Sequence, residues 1–214
     1  TLWIHLPINL CENFQNLKKT LAIKKKFNEF NLNSNKLQTH IILESLLSFE
    51  ILKKSFFDWL RVLELKKEIN LSKKIPLIDE LNLWPLYEEE WFNSFNGIRG
   101  ISSCLDFNLF DRAFKLQKYN SKLIYLLENQ TWEFSMIQAW RNKQGGEIIG
   151  YIHSFVPYWD MRKYFDPKTL SNPFFPSPDK YGLNGDLSKN NFIFNNIKDE
   201  KILKLEATRF LYLN

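Results

Sequence analysis

One stretch constrains this chain more than any other: an apolar run, a capped amphipathic segment and a second apolar run, following one another over residues 122–153. Residues 122–128 (KLIYLLE) are mostly apolar, as in a strand buried on both faces of a sheet. Thr131 is a good N-cap, and Glu133 falls in a first helical turn, where the helix dipole favours a carboxylate. Trp132, Met136, Ala139 and Trp140 recur at i, i+4, i+7 and i+8, which makes one apolar stripe. Gly145 and Gly146 close the helix, and residues 147–153 (EIIGYIH) form the next apolar strand. Strand, helix and strand with short joints make a βαβ unit, hence a parallel sheet with a right-handed crossover.

The rest of the chain divides around that unit. Residues 1–75 read as helix-rich. Leu46, Leu47, Ile51 and Leu52 share a face, and Phe56, Phe57, Leu60 and Leu63 continue it. Residues 1–7 (TLWIHLP) suit a short buried strand, and the Asn-rich residues 28–35 suit a loop. Residues 76–121 are an aromatic-rich connector. Pro85 sets a boundary there, residues 88–95 suit a short helix, and Gly97 and Gly100 permit a sharp turn or close backbone approach. Within residues 122–214, a rigid loop is expected at 172–178 (NPFFPSP), a short strand with a glycine turn at 180–185, and a further element from Ile202. The fold class read from this pattern is α/β: a Rossmann-like parallel sheet flanked by helices, with a helical N-terminal zone.

In a parallel sheet, ligands gather at the carboxyl ends of the strands. Glu128, Asn129 and Gln130 end the first strand of the unit; His153 and Ser154 end the second and lead into residues 157–167 (PYWDMRKYFDP). Glu128 or His153 is the candidate proton acceptor, given a pKa near the working pH. Asn129, Gln130, Glu133, Ser154, Trp159, Asp160 and Arg162 are the candidate substrate-binding residues. Each has a structural alternative. Glu133 suits a helix-dipole partner, Glu128 a structural hydrogen bonder, His153 a satisfied strand-end residue, Trp159 simple packing, and Arg162 an ion pair with Asp160 or Asp166.

Several chemistries find no footing. The sequence has no G-x-G-x-x-G, no P-loop and no G-x-S-x-G elbow, and His5, His40 and His153 lack metal-ligand spacing. No metal and no cofactor are expected. A net charge of +5 is mild and dispersed; it favours phosphates or an anionic membrane surface over nucleic acid. Cys11 and Cys104 are too few for a secreted disulfide framework, and no apolar run reaches the ~18–20 residues that cross a bilayer. The expected setting is cytoplasmic, with peripheral contact at the inner membrane through the Lys-rich helical zone. Thr1 stands where an initiator Met is absent, and the apolar residues 210–213 run straight into Asn214, so the chain reads as a fragment.

Four segments in order carry a resemblance: ENQTWEFSMIQAW (128–140), IGYIHSFVPYWDMRKYFDP (149–167), PSPDKYGLNG (176–185) and LEATRFLYL (205–213), with WPLYEEEWFNSFNGIRG (84–100) upstream. Together they resemble the glycosyltransferase-like bacterial surface carbohydrate biosynthesis proteins. The resemblance implies a GT-B architecture of two Rossmann-like domains, of which this chain holds the N-terminal, acceptor-side one and lacks the second. It implies transfer of a sugar from a nucleotide-sugar donor, a substrate, to a glycan or lipid-linked glycan acceptor in cell-surface polysaccharide or lipopolysaccharide synthesis. Two rivals stand beside it: a non-catalytic glycan- or nucleotide-binding module of a polysaccharide assembly complex and, more weakly, a sugar-nucleotide epimerase or hydrolase on the same fold, since fold does not fix function.

Overall fold

The computed structural model describes residues 1–6, 14–33 (backbone alone for 14–20), 38–69, 81–116, 121–153 and 166–205. The chain forms two compact units, 1–117 and 118–214. The expected connector therefore belongs, over its described residues 81–116, to the first unit.

That first unit opens on a βαβ arrangement of its own. β1 (Leu2–His5) and β2 (Thr39–Ile42) pair in parallel, with α1 (Phe14–Asn33) between them in sequence. Only β1 was legible in the amino-acid pattern. Residues 28–33 of the Asn-rich stretch expected as a loop instead complete α1, because its last turns have partners. Phe27 and Phe30 lie against the ring of His40, and the Asn31 amide spans the backbone of His40, Nδ2 donating to its carbonyl and Oδ1 accepting from its N–H, both at 2.8 Å. Next come α2 (Phe49–Glu68), α3 (Trp84–Phe95) and α4 (Gly97–Lys115). Ser48 caps α2, and Pro85 sits in the first turn of α3, where its missing N–H costs nothing. Leu109, Phe110, Ala113 and Phe114 of α4 are buried with Ile51 of α2 and Leu43. Gly100 is required by contact. A Cβ there would stand 2.2 Å from the Phe95 carbonyl oxygen, the same oxygen that accepts the Trp59 indole N–H at 2.8 Å.

The second unit is a four-stranded parallel sheet of β3 (Leu123–Leu126), β4 (Ile148–Tyr151), β5 (Lys180–Asn184) and β6 (Ile202–Leu205), in that order. The βαβ unit read from the sequence is present, with α5 (Thr131–Asn142) as its helix. After β4 come α6 (Pro167–Ser171) and the loop 172–178; α7 (Asp186–Phe194) joins β5 to β6. Glu147 pins the amino ends of three strands, lying 3.0 Å from Lys122 and 3.4 Å from Lys180, and both ammonium groups hold its carboxyl below the usual range.

A sheet whose neighbours follow one another in sequence receives right-handed crossovers on one side. The side chains bear this out. Tyr125, Leu127 and Tyr181 are buried on the face that meets Trp132 and Ile137 of α5 and Phe192 of α7. The other face carries Ile124, 66% exposed, and Leu126, 47% exposed. The run 122–128 is therefore an edge strand buried on one face among the described residues, not on both. Its apolar composition reports hydrophobicity but not what covers it. The helix end also differs from expectation. Gln144 (φ +57°) takes the left-handed position, while Gly145 is needed for space, since its Cβ would stand 2.2 Å from the Trp140 ring.

Candidate functional site

The carboxyl edge of β3 and β4 is where the sequence placed a site. The ladder runs one residue past the strands proper: the Leu127 N–H donates to the Tyr151 carbonyl and the Ile152 N–H to the Gly182 carbonyl, both at 2.9 Å. Glu128 and His153 follow directly, on neighbouring chains leaving the same edge, and both are exposed. The His153 carbonyl accepts from Asn184 Nδ2 at 3.3 Å, which ties the end of β4 to the end of β5.

Glu133 is tied into the strand-to-helix turn. It is 2% exposed, and its Oε1 accepts from the backbone N–H groups of Glu128 (2.8 Å) and Gln130 (2.9 Å). That is the carboxylate half of a capping box, with Gln130 at the N-cap in place of the expected Thr131, which is the first residue of the helix. The cap folds the strand-to-helix turn so tightly that Asn129 adopts φ +59°, a conformation Asn tolerates better than most residues. Glu133 and Gln130 thus shape the turn, in which Glu128 is exposed and Asn129 half-buried. Ser154, Trp159, Asp160 and Arg162 lie outside the described residues.

Beneath this turn the structure holds a cavity that the sequence reading missed. It measures ≈ 240 Å³ and is bounded by β3, the first turns of α5, the loop 175–178 and β5. Asn129 and Glu133 line it, together with Tyr125, Tyr181, Phe134 and Phe175. Tyr125 sits opposite Gly150 in the ladder, and a Cβ at 150 would come within 3.2 Å of the Tyr125 hydroxyl. Gly150 therefore makes room for the phenol. Burial, then the nearby Glu133 carboxylate, pushes the Tyr125 hydroxyl far above its ordinary range, and burial pushes Tyr181 up to about 12. Both phenols stay protonated as hydrogen-bonding groups. The loop wall is held by Arg141, whose guanidinium donates to the carbonyls of Phe175 (3.2 Å) and Ser177 (2.6 Å). The only advance signal was a tyrosine in an apolar strand with a glycine on the strand beside it.

The first unit has its own polar features. A more open space of ≈ 550 Å³ is lined by α2, α3 and α4 residues including Lys54, Asp58, Arg61 and Cys104. Its wall is structural: Asn108 Nδ2 reaches Asp58 Oδ2 (2.9 Å), Ser55 Oγ (3.1 Å) and the Cys104 carbonyl (3.0 Å), which binds α2 to α4. Burial raises the Glu44 carboxyl to about 7, with Asp106 adding repulsion, and burial raises Asp106 to about 6. His5 Nε2 lies 3.0 Å from His40 Nδ1, and burial followed by His40 lowers the His5 pKa. Among the described residues no group of three or more His, Cys, Asp or Glu is placed to hold a metal ion, and no helix is long and apolar enough to cross a membrane. Scans of protein-family models, of curated proteins and of solved structures return no match to this chain.

Proposed function

We propose that this chain is the acceptor-side part of a GT-B-type, glycosyltransferase-like protein that moves a sugar from a nucleotide-sugar donor to a glycan or lipid-linked acceptor during cell-surface polysaccharide or lipopolysaccharide synthesis. The observation that carries the reading is that Glu128 and His153, both exposed, each follow one of two paired parallel strands at the carboxyl edge of an α/β sheet. In the proposed reaction an acceptor hydroxyl attacks the anomeric carbon. The bond from that carbon to the donor phosphate breaks, and the nucleotide leaves with the electron pair. The hydroxyl proton passes to Glu128 or His153. Arg162 is assigned to the phosphate or a sugar carboxylate, and Trp159 to stacking on a ring. The exposed Lys24, Lys25 and Lys26 of α1 suit peripheral contact with an anionic membrane on the cytoplasmic side.

The test uses Glu128→Gln and His153→Ala, assayed for transfer from a panel of labelled nucleotide sugars. Loss of the true base lowers turnover by about 10²–10⁴-fold. Parental rates in both variants, with folding intact, sink the assignment. The second reading, a binding module without catalysis, draws on the strand order. Ligand crevices open where the order of a parallel sheet reverses, and β3 to β6 run without reversal. Binding of nucleotide sugars with no turnover would favour it.

A further inference from the structure

The sequence pattern sets Leu52, Phe56, Leu60 and Leu63 on a face continuous with Ile51, yet α2 turns a different face inward. Its buried residues are Ile51 and Ser55, and Asn108 of α4 fixes that rotation by reaching Ser55 Oγ at 3.1 Å and Asp58 Oδ2 at 2.9 Å. Trp59, donating to the Phe95 carbonyl of α3, holds the adjoining side. Outside lies an apolar stripe of Phe49, Leu52, Phe56, Leu60 and Leu63, three or four residues apart, with Phe57 beside it. Phe49 is 82% exposed, Leu52, Phe56 and Phe57 are each about half exposed, Leu60 is exposed and Leu63 half-buried. One apolar face suffices to hold a surface helix to its core, and a contiguous second one marks an interaction site.

We infer that this outer face of α2 is a self-association surface, on which the α2 of a second copy packs antiparallel about a two-fold axis. The flanking charges select the occupant. Over residues 49–68 the helix carries five basic and four acidic side chains, interspersed. A bilayer of uniform negative charge attracts such a mixture weakly, whereas a second helix with the same mixture can match it. Glu50, Lys53, Glu64 and Lys67 are all exposed, and none has an ion pair among the described residues. In an isologous pair, residue i of one copy meets residue j of the other, and j meets i. Antiparallel packing sets Lys53 against Glu64 and Glu50 against Lys67, and one two-fold centre, between Asp58 and Trp59, serves both pairs. Parallel packing would bring each residue level with its own copy, like charge beside like. Phe56, Phe57 and Leu60 are the stripe residues nearest that centre, where the binding energy of an interface concentrates.

The area sets the strength. At ~150–250 Å² for a whole aromatic side chain, the three phenylalanines alone expose roughly 250–450 Å² per copy. With the leucines and the lysine stems, two such faces bury on the order of 1,000 Å², the small end of specific interfaces. The dimer is therefore a micromolar one and not obligate. The inference is independent of the transfer reaction, to which none of these residues is assigned.

Sedimentation velocity of the 214-residue chain from about 1 to 300 µM tests it, with a monomer-to-dimer rise expected at micromolar concentration. Phe56→Lys is expected to weaken association about a hundredfold, at the level of an interface hot spot, and to leave the thermal midpoint of the dilute chain unchanged. Lys53→Glu is expected to weaken it about tenfold, through two like-charge contacts per dimer. Combining Lys53→Glu with Glu64→Lys is expected to restore the parental constant. The inference is overturned if the chain stays monomeric throughout, if Phe56→Lys associates as the parent does, or if the charge reversal fails to restore what Lys53→Glu removed. A lowered midpoint for dilute Phe56→Lys would mean that this chain covers the stripe itself. Binding of the monomer to phosphatidylglycerol vesicles, abolished by Phe49→Ser, would make a bilayer the occupant; either result overturns the inference.

Discussion

The two βαβ units of this chain are built from the same plan and held together by different means. In β3–α5–β4 the helix is short, capped by Glu133, and presents Met136, Ile137, Ala139 and Trp140 as a continuous buried stripe. In β1–α1–β2 the helix is longer, yet most of its described side chains are exposed. There the contacts are specific: two histidines in mutual reach, Phe27 and Phe30 on their rings, and an asparagine amide across the neighbouring strand. Burial of an apolar stripe leaves a periodic signature in sequence. A handful of polar and aromatic contacts does not. One unit could therefore be read in advance, and the other could be found only by looking.

Substitutions sharpen that contrast. The largest effect is expected from Trp140→Ala. Trp140 is 3% exposed, and its indole N–H donates to the Gly146 carbonyl at 2.8 Å. Its loss should cost about 3–5 kcal/mol. Hydrogen exchange should show protection collapsing across α5, β3 and β4. Retained protection there would mean that the stripe does not hold the unit. A smaller effect is expected from Asn31→Ala, which removes two hydrogen bonds to His40 at a cost of about 1–2 kcal/mol. Exchange should quicken at the end of α1 and along β2. An unchanged rate would show that the ring contacts alone suffice.

The smallest effect concerns pH and belongs to the first unit. Glu44 and Asp106 have raised pKa values in the folded state, so their stabilising contribution is complete below the unfolded carboxylate range. It is lost as pH climbs through about 6 and about 7, because the folded state must then hold charge it disfavours. His5 has the opposite sign: its folded pKa is lowered, so its contribution is present above the unfolded value and lost as pH falls. Glu44→Gln should therefore raise the urea midpoint of this unit at pH 8 and change it little at pH 4.5. An equal rise at both would place the effect in packing, not ionisation.

How far the site could be foreseen follows the same division. Glu128 and His153 were placed correctly at one sheet edge, because strand ends follow directly from where apolar runs stop. Glu133 was foreseen in the first helical turn, but its two backbone hydrogen bonds depend on how the turn closes. Gln130 took the cap position because Asn129 could enter the left-handed region. The cavity was not foreseeable. Its walls come from β3, α5, β5 and a proline-rich loop that has no periodicity to read. The pairing of His5 with His40 was hidden by a separation of 35 residues.

By itself the amino-acid order determined the β3–α5–β4 unit, its parallel sense, and the edge at which polar residues collect. Those features rest on periodicity, capping and chain stiffness, all of which act over a few residues. The tertiary structure alone decided that Ile124 and Leu126 stay exposed while Tyr125 is enclosed, and that Arg141 holds the loop carbonyls. Burial and partnership depend on which distant segments arrive at a given face, and short-range pattern carries no record of that.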